Sequence, residues 1–256
     1  MKEWIFKLFV LLFYGGMIFF NFLANSLPLN NRNTGQISDD YPALFTPSGF
    51  SFSIWGIIYV LLGIVVVKII LSSNDTFFEN YSMLFIILFL ITSITNIAWL
   101  FCWHYDKILL STIIMVVFLV GLSIITFYLK DLDYLTKVAF SIYTGWVSIA
   151  LIANITILLV KANIPMFQNN ETLWYVIIMI VGVVLGLLIL ILSRNVFYIM
   201  VFVWAYFGIF MKHFNQTGYH LTKNLNTFNG LLLVVLILGM SIIFYLNEFA
   251  FYKPIV

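Results

Sequence analysis

Two helical faces carry the side chains best suited to holding a ligand. Thr92, Asn96, Trp99 and Trp103 recur at i, i+4, i+7 and i+11, and Trp146, Ala150 and Asn154 at i, i+4 and i+8, so each set shares one face of a helix. An indole offers a flat apolar wall with one N–H donor, and an amide offers donors and acceptors together. Such groups suit a flat, largely apolar molecule with few polar atoms. The same residues also have simpler uses. An Asn at membrane depth joins helices, for about 0.6–2 kcal/mol each, and Trp103, like Trp4 and Trp174, fits a headgroup-level belt.

Other chemistries find no residues. Asp, Glu, Lys and Arg are almost absent from the centres of the apolar runs, which argues against an ion-coupled transporter, a proton pump or a voltage sensor. The phosphate-binding loop, the zinc-binding His-Glu pair on a helix and the nucleophile elbow are missing. His104, His213 and His220 have no carboxylate or thiol at ligand spacing, so hydrogen bonding is the expectation for each. Cys102 has no second thiol, which excludes an intramolecular disulfide and a thiol-rich metal site. No catalytic residue is assigned, and no cofactor is required.

The elements that must position these faces are membrane helices. With 63% hydrophobic and 9% charged residues in 256, the chain has too little polar surface for a water-soluble globule. Its net charge of +2 is scattered, without a basic stripe, so nucleic acid is not a partner and the lipid bilayer is. Crossing a hydrocarbon core takes roughly 20 apolar residues. Runs near that length occur at 4–25, 50–72, 82–104, 108–129, 138–160, 173–193, 196–212 and 228–247. The seventh is short and follows a tight Ser193-Arg194-Asn195 turn, so if runs six and seven form one hairpin the count falls from eight spans to seven. The first run also has a signal-peptide reading, with Ala24 and Ser26 at cleavage spacing, but its uncharged stretch is long enough to span.

With an even number of spans, Lys2, Lys7, Lys68, Lys130, Lys137, Arg194 and Lys253 gather on the side of the termini. Arg32, Lys107, Lys161, Lys212 and Lys223 lie opposite. That asymmetry places both termini in the cytoplasm. The loop 26–49 is long and turn-rich, and its residues Pro42, Pro47 and Gly49 should steer the chain into the second run. A second polar segment, 162–172, divides the chain into a membrane unit over 1–165 and an extension of two or three helices over 166–256. Gly182 and Gly186 match the small-xxx-small contact pattern, which makes a homodimer one expectation.

Three stretches, "FTPSGFSFSIWGIIY", "NIAW" and "GWVSIALIAN", together resemble the signatures of the tryptophan-rich sensory protein or translocator protein family, TspO/MBR. Phe45, Thr46, Pro47, Gly49, Phe52, Trp55 and Tyr59 match its turn and second-helix pattern. Asn96, Ala98 and Trp99 match its third helix, and Trp146, Ala150 and Asn154 its fifth. The match covers about residues 1–160. Departures are Ser48 in place of a second proline, Phe45 in place of Trp, one residue fewer between Gly49 and Trp55, Ile142 in place of a proline, and no counterpart of a fourth-helix Asp.

The resemblance implies an all-α integral membrane protein: a five-helix bundle, here enlarged by about three further spans lying outside the family's unit. It also implies a cavity between the helices, capped by the loop after the first one. Phe45, Pro47, Gly49, Phe52, Trp55, Tyr59, Asn96, Trp99, Trp146, Ala150 and Asn154 are then the expected ligand-binding residues. The expected activity is binding, transport or sensing of a small hydrophobic ligand of tetrapyrrole or sterol type, in a bacterial plasma membrane. Porphyrin-directed catalysis and a structural scaffold are the alternatives.

Overall fold

The computed structural model describes residues 3–26, 29–41, 43–73, 77–129, 132–214 and 223–251. Pro42, His220, Lys2, Lys130 and Lys253 lie outside them. Eight helices among the described residues are long and apolar enough to cross a membrane: α1 (Glu3–Ser26), α2 (Ile54–Leu71, preceded by a 3-10 turn from Gly49), α3 (Met83–His104), α4 (Ile108–Ser123, continued by a π-helical turn to Tyr128), α5 (Tyr134–Lys161), α6 (Glu171–Ser193), α7 (Val196–Phe214) and α8 (Lys223–Phe251).

The seven-span alternative gives way to eight because α7 is a full helix, separated from α6 by a two-residue turn. Arg194 takes the left-handed conformation (φ 53°) that ends α6, and Asn195 Oδ1 accepts from Tyr198 N (3.1 Å) to start α7. α5 begins four residues before its apolar run, since Asp133 caps it by accepting from Leu135 N and Thr136 N (3.1 and 3.3 Å). In lipid every backbone polar group needs an internal partner, which is why these apolar runs are helical throughout. Many large apolar side chains face outward, Val60, Leu71 and Leu192 among them.

The first five helices form a closed ring in the spatial order α1, α3, α4, α5, α2. α7 packs along the outside of α5, and α6 and α8 pack on α7, so one hydrophobic cluster runs from Phe6 to Leu236 through both halves of the chain. Polar side chains at depth tie the ring. Asn21 Nδ2 donates to Asn96 Oδ1 (2.7 Å), and Asn96 Nδ2 donates to Tyr143 Oη (3.0 Å), joining α1, α3 and α5. Thr112 Oγ1 donates to Asn154 Oδ1 (2.6 Å), and Asn154 Nδ2 to Ser111 Oγ (2.7 Å), joining α4 to α5. Both Asn residues are therefore fully engaged between helices.

Gly182 and Gly186 lie against α7 within the same chain. A methyl group on Gly182 would collide with the Tyr206 hydroxyl, and one on Gly186 would stand 2.9 Å from the Phe202 ring. The pattern that suggested a homodimer is thus used inside the molecule.

Two outcomes follow. Asn96→Leu removes the bonds that join Asn21 and Tyr143 through α3 and should cost about 1–2 kcal/mol in reversible unfolding in mixed micelles. Gly186→Leu should lower the same stability by pushing α6 off α7, without changing the particle mass measured by light scattering.

Candidate ligand-binding site

Thr46 begins the loop that covers the bundle by folding back on itself, its Oγ1 donating to Ala43 O (2.9 Å). A 3-10 turn, Gly49–Ser53, then runs directly into α2. Gly49 is exposed, has no left-handed φ, and a Cβ there would meet open space, so the steering role expected of it is not used. The path is set instead by contacts at both ends of the cover.

One end rests on α3. Asn30 Nδ2 donates to His104 O (2.9 Å), and Trp103 Nε1 to Thr34 O (3.2 Å). Thr34 opens a six-residue helix, Thr34–Asp39, fixed by a capping box in which Asn33 Oδ1 accepts from Gln36 N (2.9 Å) and Asn33 N donates to Gln36 Oε1 (2.8 Å). The other end rests on α7. Ser48 N donates to Gly208 O (3.2 Å), Trp204 Nε1 to Ser51 O (3.0 Å), and Lys212 Nζ to Asp39 Oδ1 and Thr46 Oγ1 (2.9 and 2.8 Å). His213 Nε2 lies 3.0 Å from Leu44 O. At Gly208 any side chain would strike Ser51 and Pro47, so the cover sits directly on the α7 backbone.

Beneath it Phe52, Trp55, Trp99, Trp103 and Trp146 form a box. The Trp55 ring is 5.9 Å from Trp99, 6.2 Å from Trp146 and stacked on Tyr59 (5.5 Å). Trp99 stacks on Trp103 (6.0 Å), and Phe52 stands edge-on to Trp146 (5.8 Å). These rings, with Thr34, Ser38, Pro47, Ile149, Ala150, Ala153 and Asn154, line a cavity of about 30 Å3, room for about one water. Two of the lining residues, Trp99 and Trp146, have buried indole N–H groups with no protein partner.

Of the residues expected at the site, Pro47, Phe52, Trp55, Trp99, Trp146, Ala150 and Asn154 meet at this cavity. Phe45 is elsewhere, edge-on to Tyr206 of α7 (6.3 Å), where it anchors the cover. Tyr59 and Asn96 lie below, behind Trp55, and Gly49 faces outward. Trp103 is 4% exposed and a wall of the box, not part of a headgroup belt. Its i+4 spacing from Trp99 carried that signal. Ile149 and Ala153 could have been found one turn from Trp146 and Ala150. Trp204 stood out as an indole inside an apolar run, but nothing local in the sequence pointed to Thr34, Ser38, Gly208 or Lys212.

The family model described as TSPO-like protein matches residues 7–244, taking in the cover, the box and the last three helices. The chain belongs to the TSPO-like protein family. No curated protein and no solved structure matches it.

The rim of this TSPO-like site is polar. Asp106 bridges Lys161 (2.6 Å) and Tyr41, while Arg32 pairs with Asp40 within the cover. Burial works to raise the Asp106 pKa, but hydrogen bonds from Lys161 and Tyr41 outweigh it and hold the carboxyl below its usual value. A depressed carboxylate stabilises the folded arrangement above its unfolded pKa of about 3.9 and loses that contribution as pH falls through the folded value. Hydrogen exchange in residues 43–53 should therefore accelerate below about pH 4. Asp106→Asn should show that acceleration at neutral pH. Gly208→Leu should produce it at every pH, because it displaces the α7 seat itself.

Proposed function

We propose that this TSPO-like protein binds a small, flat, hydrophobic ligand that carries a hydrogen-bond acceptor, in the aromatic box beneath the loop. The observation that carries the reading is the pair of buried indole donors, Trp99 Nε1 and Trp146 Nε1, which lack partners on two residues of a largely apolar wall. A buried donor left unpaired costs about 1–3 kcal/mol, and a carbonyl or carboxylate oxygen on the ligand relieves that cost. Aromatic faces supply the remaining attraction without fixing a polar pattern. Tetrapyrroles and sterols, which the resemblance suggests, meet the description.

With 30 Å3 available, entry requires the loop to lift. Part of its hold can exchange with solvent: the Lys212–Asp39 ion pair and the Asn30 bond to His104 O lie toward the water interface, whereas Phe45, the Trp103–Thr34 bond and the His213–Leu44 contact are buried. With the termini cytoplasmic, the cover faces the opposite compartment. A carrier or a sensor would each use the same lift, the first to release ligand and the second to report it.

The test is tryptophan fluorescence quenching by protoporphyrin IX in detergent, with Trp99→Phe and Trp146→Phe beside the parent. Saturable quenching is expected, weakened about three- to tenfold in each variant by loss of one hydrogen bond. Quenching that is linear, or equal in all three proteins, would sink the reading.

A further inference from the structure

A second cavity, of about 410 Å3, lies where α5 and α6 stand apart over α7. It is already open in the described structure, unlike the box, and it falls in the size range of small-molecule sites. Along α6 its lining runs from Trp174 through Val181 and Leu185 to Ile189, a stripe about 22 Å long at helical rise, most of a hydrocarbon core about 30 Å thick. Along α5 it follows the parallel stripe from Ser148 to Leu159. The slot therefore stands upright in the membrane.

Its chemistry is uniform. The hydroxyls in the wall are already engaged: Tyr198 Oη donates to Ser148 Oγ (3.0 Å), Ser148 Oγ to Thr144 O (2.8 Å), and Thr156 Oγ1 to Ile152 O (2.8 Å). No hydroxyl donor is left to orient a polar ligand. Ile155, Val181 and Leu185 are each more than 40% exposed, so the open side faces the bilayer rather than water. The slot is long and apolar, with its open side toward lipid over most of the hydrocarbon thickness, which suits an extended acyl chain lying along the bilayer normal. At one end the Trp174 indole donates to Met166 O (3.2 Å), which sets its ring at the water boundary where a headgroup would sit.

We infer that this slot is a binding site for a single acyl chain of a membrane lipid, with the headgroup at the Trp174 end. The chain fills the gap between α5 and α6 that no side chain of the protein fills, and so acts as a packing element between the five-helix ring and the last three helices. The site is independent of the aromatic box.

The experiment is photocrosslinking in liposomes with a phosphatidylcholine that carries a diazirine near the middle of one acyl chain, with adducts mapped by peptide mass spectrometry. Labelling is expected to concentrate several-fold on Ile152, Ile155, Val181 and Leu185 over the more exposed Leu231, Val234 and Leu238 of α8. It should fall to the α8 level in a Val181→Trp protein. Uniform labelling of all outward faces would overturn the proposal, because it would show only the annular lipid that coats any span. Stronger labelling of the slot by a diazirine sterol than by the acyl probe would also overturn it. If Val181→Trp does not fold, the labelling distribution on the parent protein decides alone.

Discussion

Asn96 fixes how the ring is assembled. Lipid offers its amide no partner, so the side chain must find both a donor and an acceptor among the helices around it. It finds Asn21 on α1 and Tyr143 on α5. Those two bonds set the rotation of three helices about their own axes at one depth. Trp99, nearly one turn further along α3, and Trp146, nearly one turn further along α5, are thereby aimed into the same space. The Asn154 bonds to Thr112 and Ser111 do the same for α4. Asn96 is thus a positioning group, and the indoles above it are the groups left with something to bind.

The architecture divides labour between depth and surface. At depth, amide and hydroxyl networks and close glycine contacts make a rigid frame, since breaking one strands a polar atom in hydrocarbon. At the water boundary, the outer ties of the cover are bonds that water can replace. Asp106, Lys161, Tyr41, Lys212 and Asp39 lie there, each at least partly exposed or paired across loops. A rigid box under a replaceable cover is the arrangement a protein needs in order to admit a bulky ligand without dismantling its own core.

The last three helices give that cover its second support. α7 supplies the seat at Gly208, the donors Trp204 and Lys212, and the Tyr206 ring on which Phe45 rests. α6 braces α7 from outside, Tyr206 Oη donating to Met179 O (2.7 Å), and α6 is tied in turn to α8 by Tyr175 Oη donating to Asn229 Oδ1 (2.7 Å). An extension read from the sequence as separate from the site is therefore in contact with the site's cover, and the family match runs through it without a break.

Much of this was legible because it depends on local rules. Runs of about 20 apolar residues mark spans, since hydrocarbon thickness sets helix length. Helical spacing put Trp99 and Trp103 on one face and Trp146, Ala150 and Asn154 on another, since 3.6 residues make a turn. The sequence by itself thus determined the solvent, the class of fold and the inward faces. The tertiary structure alone decided what those faces meet. Gly208 under Ser51, Trp204 on the loop and Lys212 on Asp39 join positions more than 150 residues apart, and no periodicity encodes such a pairing. It decided equally that Gly182 and Gly186 face α7 rather than a second copy, and that the box is closed. Those outcomes turn on which surfaces lie within van der Waals reach, a property of the packed chain and not of any segment of it.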